Sequence, residues 1–160
     1  MDVRTVVLTV ATPALLLSTP AVASADPVLP QAGTPCASEM SGAMTWRRAD
    51  ATPLVCLDNQ WQAVTTPQPP NDRWVSFGPP MTLHGQGMRN PDVAPGTWTA
   101  TPQGADSGCR AVQQAVVSAG EVGPPQIAES PKGQSLSFQL LPSLFSIEMS
   151  GYCLWTRADS

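Results

Sequence analysis

A mainly antiparallel all-β protein, a β-sandwich or barrel with one short N-terminal helix and two disulfides, is the fold class that three observations in this sequence predict. Proline accounts for 18 of 160 residues, about twice the usual share, which favours turns and extended chain over helix. Short apolar/polar alternations recur between Gly and Pro signals through the second half of the chain, as in Leu136, Phe138 and Leu140. Four cysteines, Cys36, Cys56, Cys109 and Cys153, complete the pattern.

The elements follow in order. Residues 1–25 read as a secretory signal peptide: Arg4, an apolar stretch from Val6 to Leu17, then small residues at Ala21, Ala23 and Ala25 before Asp26. That stretch is interrupted by Pro13 and falls short of the ~20 residues a membrane span requires. Cleavage is expected after Ala25, with Ala23 as the second choice. Residues 26–35 are an extended, proline-rich leader. Residues 36–64 are expected as a small disulfide-bonded helix and hairpin unit. Cys36, Met40, Ala43 and Met44 have helical spacing, and Leu54 to Leu57 and Trp61 to Val64 are strands joined by the turn pair Asp58 and Asn59. Residues 65–72, with Pro67, Pro69 and Pro70, cannot continue a hydrogen-bonded ladder and read as a linker.

Residues 73–157 are expected as a β-sandwich domain of short strands: Arg73 to Phe77, Met81 to His84, Thr97 to Thr101, Cys109 to Ser118 (whose spacing suits helix as well as strand and is read as strand from its all-β surroundings), Ser135 to Leu141, Leu144 to Met149 and Tyr152 to Thr156. Phe145, Ile147 and Met149 should share a buried face, with Glu148 pointing to solvent. Ser150 and Gly151 are read as a turn. Trp155, two residues after Cys153, should pack on its disulfide, and Trp61 similarly near Cys56.

Export places the cysteines where thiols oxidise. Three pairings exist; Cys36 with Cys56 and Cys109 with Cys153 is favoured, because each bridge then staples a contiguous stretch and adds about 3–4 kcal/mol by loop entropy. No C-x-x-C element supports a zinc site. The chain carries 8 Lys or Arg against 12 Asp or Glu, a formal charge of −4, with basic residues mostly scattered. This argues against nucleic acid and against anionic lipid as partners. No second segment is apolar enough to span a membrane after signal cleavage.

Cys36, then Pro53 to Cys56, Trp61, Asp72 to Gly78, Met81 to Gly85, Pro95 to Trp98, Cys109, Leu144 to Gly151 and Cys153 to Trp155 together resemble a family of small exported mycobacterial proteins of unknown function. The last part is also similar to a wider actinobacterial secreted module with a P-G-T-aromatic start and a G-x-C-x-W end. Many members of that module carry an aromatic two residues after the first cysteine, where this chain has Ala111. The resemblance implies export, disulfides and a β-rich fold, and supplies no activity.

No motif encodes a reaction. There is no G-x-S-x-G, P-loop, dinucleotide fingerprint, H-E-x-x-H or calcium loop. No catalytic residue, metal or cofactor is therefore assigned. His84 is the single histidine, so any Ser-His or Cys-His chemistry would run through it. Met81, His84 and Met88 form a soft-ligand set that suits copper(I), weighed against Met81 and Met88 as core residues. Asp72, Asp92, Glu129 and Glu148 are the carboxylates a small hydrolase would draw on. The leading expectation is a secreted or cell-envelope binding protein, non-enzymatic, recognising an envelope or extracellular partner through loops on a rigid scaffold. Trp74, expected partly exposed beside the proline-rich stretch, and His84, Arg89 and Asn90 in the following Gly-rich loop are the candidate contacts. A structural, antigen-like role without ligand is the third reading, and oligomeric state is left open.

Overall fold

The computed structural model describes residues 27–47 and 52–158; the signal peptide expected over residues 1–25 lies outside them. The protein is mostly β. Ten strands form one mixed sheet: β1 (Met44–Arg47), β2 (Thr52–Leu57), β3 (Gln60–Ala63), β4 (Arg73–His84), β5 (Gly96–Pro102), β6 (Arg110–Ser118), β7 (Glu121–Val122), β8 (Gln126–Glu129), β9 (Leu136–Leu140) and β10 (Leu144–Arg157). The short N-terminal helix reduces to a single 3-10 turn over Ser38–Met40.

The spine of the sheet is the antiparallel pair β4 and β10, running from His84 opposite Ser146 to Arg73 opposite Thr156. Each was expected as two separate strands. They merge because the interruptions are accommodated as bulges. Two residues of β4, Pro79 and Pro80, stand opposite the single Ser150 between the pairs Met81–Met149 and Gly78–Gly151. Both prolines are exposed, where a missing amide donor costs the ladder nothing. The extra residue inverts the alternation of β4: Trp74 is buried before it, and Met81 and Leu83 are buried in the same core after it. On β10, Ser150 and Gly151 continue the strand instead of turning it. Gly151 has φ +90°, and a Cβ there would collide with the carbonyl oxygen of Gly108, so only glycine fits where the chain entering β6 crosses.

β10 changes partner on its second edge. Its first half pairs with β6, from Leu144 opposite Ala115 to Ser150 opposite Arg110, and its second half with β5, from Cys153 opposite Pro102 to Arg157 opposite Trp98. The sheet therefore forks into β5–β9 and β6–β8 branches. Gln113 on β6 rejoins them: its Nε2 donates to Gln139 O at 2.9 Å, and Leu141 N donates to its Oε1 at 3.2 Å. The main core lies within this curl and holds Trp98, Leu140, Leu144, Ile147, Met149, Trp155 and the Cys109–Cys153 disulfide. Leu136 and Phe138 pack against it as their alternation predicts. Phe145 does not join; a register shift between Leu144 and Ser146 turns Leu144 inward in its place.

The opposite face of β4 and β10, presenting Val75 and Leu154, forms a second core with Met40, Ala43, Leu54, Trp61 and the Cys36–Cys56 disulfide. Asp58 and Asn59, at φ 51° and 60°, make the left-handed turn between β2 and β3. β1 joins the spine through one parallel pairing, Met44 with Trp74. Part of the proline-rich leader covers the outer edge of β3: Gly33 N donates to Trp61 O at 2.7 Å, and Trp61 N to Thr34 O at 2.9 Å. An otherwise open strand edge is thereby paired within the chain.

Candidate functional site

Residues 65–72 leave β3 and return to β4 without forming a strand, and the path they take leaves a cleft of about 570 Å³. Its floor is aromatic. Trp46 on β1 stacks on Trp74 at the start of β4, with ring centroids 6.3 Å apart and planes inclined at 24°. Met44 and Pro53 lie beside them; Pro53 pairs with Trp46 across the β1–β2 ladder. One wall is the segment Thr66 to Pro70, and the other is Asn90, Pro91 and Asp92.

Asn71 and Asp92 hold these walls in place. Asn71 N donates to Asp92 O at 2.9 Å, and Asn71 Nδ2 donates to Gly42 O at 3.1 Å and Arg73 O at 2.8 Å. Asn71 O accepts the indole N–H of Trp74 at 3.0 Å. Asp92 closes the loop onto the end of β4: its Oδ2 accepts from His84 N at 2.8 Å and lies 3.3 Å from His84 Nδ1, and its own N donates to His84 O at 2.8 Å. Gly85 permits that closure, because a Cβ there would overlap the side chain of Leu144. Asn90, at φ 57°, takes the left-handed conformation that asparagine tolerates.

One polar atom in this arrangement lacks a partner. Trp46 Nε1 is buried and has no hydrogen-bond partner among the described residues, whereas Trp74 Nε1 and Trp98 Nε1 are both satisfied by carbonyls. Such a donor carries a desolvation cost that folding has not recovered.

The expected contact residues separate accordingly. Trp74 and Asn90 line the cleft. Trp74 is not partly exposed as expected: it is 1% accessible, with Trp46 stacked on it and its N–H donated to Asn71 O. His84 is exposed and reaches the cleft only through its pairing with Asp92. Arg89 is exposed on the loop and does not line the cleft. Trp46, Gln68 and Asp92 were missed. Trp46 is not singled out by the sequence, and residues 65–72 read there as a linker only; no local signal ties the two together.

The soft-ligand set does not assemble, since Met81 is buried and His84 projects from the opposite face of β4. Among the described residues no group of three or more His, Cys, Asp or Glu side chains converges. The four weighed carboxylates sit apart: Asp72 pairs with Arg157 at 3.1 Å, Asp92 with His84, Glu129 with Arg110 at 3.6 Å, and Glu148 is exposed. The two disulfides are consistent with an extracytoplasmic location. No helix among the described residues is long and apolar enough to cross a membrane. In comparisons with family models, curated proteins and solved structures, nothing matches this chain.

Proposed function

We propose that this is a non-enzymatic binding protein exported to the cell envelope or the medium, akin to the small exported actinobacterial proteins it resembles, and that its ligand sits in the cleft floored by Trp46 and Trp74. The observation that carries this reading is the cleft of about 570 Å³ floored by the stacked Trp46 and Trp74 and walled by prolines. The scaffold suits preformed recognition: prolines on both walls and the hydrogen bonds of Asn71 and Asp92 hold the site before any ligand arrives, so little ordering entropy is spent on binding. Two disulfides add to that rigidity.

The test is native mass spectrometry of the oxidised protein after exposure to an envelope extract, with Trp46→Ala alongside. A low-mass adduct on the parent that is absent from a folded Trp46→Ala variant is expected. Equal adducts on both, or none on either, would remove the cleft as the binding site.

A further inference from the structure

We infer that Ser146 is an activated nucleophile that takes one acyl group from an activated ester, with His84 as its general base and Asp92 as the positioning residue for His84. Ser146 lies outside the cleft lining, and a single acylation leaves the protein without turnover, as the binding reading requires.

The fold brings the three residues together. Ser146 on β10 stands directly opposite His84 on β4. Both main-chain groups of His84 are taken by the loop that follows it: its N–H donates to Asp92 Oδ2 at 2.8 Å, and its carbonyl accepts from Asp92 N at 2.8 Å. Neither group then faces β10. The pair is therefore of the non-hydrogen-bonded kind, where opposed side chains come closest, at the near end of the about 4.5–5.5 Å range for Cβ atoms. Leu83 and Ile147, one residue away on each strand, are buried, which puts His84 and Ser146 together on the outer face of the sheet. His84 is exposed and Ser146 partly so, and a reactant reaches both.

Asp92 fixes the ring. Its Oδ2 lies 3.3 Å from His84 Nδ1, and an ionised carboxylate only accepts, so Nδ1 carries the proton and the neutral ring keeps Nε2 as an acceptor. In that state an imidazole draws the proton from a serine hydroxyl. Among the described residues the His84 ring bonds to Asp92 and not yet to Ser146; such contacts are often long in a free protein and tighten when the reactant is bound.

In the step itself, Ser146 Oγ bonds to the ester carbonyl carbon while its proton passes to His84 Nε2. The bond from that carbon to the leaving oxygen then breaks, and the leaving alcohol takes the proton from His84. The products are an acyl-serine and one alcohol. Hydrolysing the acyl-serine would call for preformed N–H donors around a second oxyanion. At this end of β10 the amides of Gly85, Gly87 and Val116 are already donated to the carbonyls of Phe145, Leu144 and Ser143, so the acyl group stays, and an ester with a good leaving group is the one that reacts.

The experiment incubates the disulfide-intact protein with p-nitrophenyl acetate, follows nitrophenol by absorbance and locates the acetyl group by peptide mass spectrometry. Release of one equivalent with the acetyl group on Ser146 is expected. Ser146→Ala should lose that label, and His84→Ala should slow it roughly a hundredfold, with free imidazole restoring the rate. Asp92→Asn keeps an acceptor for the main-chain N–H of His84. It should slow labelling, and the ¹⁵N shifts of the single histidine ring should show the ring proton moving from Nδ1 to Nε2. Thermal melts establish which variants are folded, and the urea-unfolded parent supplies a reference that needs no variant: Ser146 must label faster in the folded chain. Acetylation of Lys132 or the amino terminus without Ser146, labelling of Ser146 no faster than in the unfolded chain, or an unchanged rate in folded His84→Ala would each overturn the assignment. Release that continues past one equivalent and is abolished by Ser146→Ala would make the protein an esterase, ending both the single acylation and the non-enzymatic reading.

Discussion

The side chain of Gln113 stands where a neighbouring strand would place a peptide group, and it is 7% accessible. It offers one donor and one acceptor to the backbone of Gln139 and Leu141, which would otherwise face the gap between the two branches of the sheet. Gln113→Leu keeps the volume and strands both backbone groups. It should cost about 2 kcal/mol or more, read as a lower urea midpoint at unchanged slope; an unchanged midpoint would show that solvent serves those groups equally well. Tyr152 makes a second test at this scale. It stacks on Phe77 with centroids 5.3 Å apart, and burial, then the nearby Glu39 carboxylate, raises its pKa above the ordinary value of 10.0. A phenol held protonated by the fold contributes stability that is fully present below its unfolded value and is lost as pH rises through the higher folded value. Tyr152 is the single tyrosine in the chain, so tyrosinate absorbance reports it alone. Its midpoint should fall on urea unfolding, and Tyr152→Phe should flatten the alkaline loss of stability. Some residue roles are legible from local spacing. Cys153 and Trp155 lie two apart on one strand, and both are buried in one core, with the indole N–H of Trp155 donating to Ser76 Oγ at 2.9 Å. The pairing of Trp46 with Trp74 is not legible, since it depends on β1 coming to lie parallel to β4 across a long sequence separation.

Among the elements, β4 shows how a single residue sets which side chains are inside. Pro79 and Pro80 opposite Ser150 add one residue to the strand, and that addition returns Met81 and Leu83 to the core that Trp74 enters. Deleting Pro80 should move Met81 and Leu83 to the other face and drive Thr82 and His84 inward. The expected outcome is loss of the near-UV circular dichroism of the packed tryptophans and of cooperative melting. A deletion variant that melts like the parent would mean the register of β4 is set elsewhere. From the sequence, Pro79 and Pro80 and the Ser150–Gly151 pair both read as interruptions, because Gly and Pro mark turns and bulges alike. Local chemistry does not tell the two apart. The hairpin of β2 and β3 was legible throughout, because Asp58 and Asn59 tolerate the left-handed turn and apolar residues flank them on both sides. The same distinction separates Leu144 from Phe145: alternation favours Phe145, and a register shift against β6 gives the core to Leu144.

Taken as a whole molecule, one sheet has a core on each face, and each core contains one disulfide. Residues 36–64 read as a unit of their own because the proline-rich stretch 65–72 marks a boundary after them, and in the structure Met44 joins the first core, while Val75 and Leu154 join the second. The cleft exists because the chain must travel from the edge strand β3 back to the spine, and its prolines keep that path off the ladder. By itself the sequence determined composition-level and local properties: a β-rich chain, the positions of most strands, the hairpin turn and the pairing of neighbouring cysteines. These follow from alternation, turn chemistry and short loop closure, all of which act within a few tens of residues. Tertiary structure alone decided the fork in the sheet, the bulges that unite β4 and β10, and the meeting of Trp46, Gln68 and Asn90 around one space. Those outcomes depend on which distant segments share a hydrogen-bonded edge, and no short-range pattern in the chain encodes that choice.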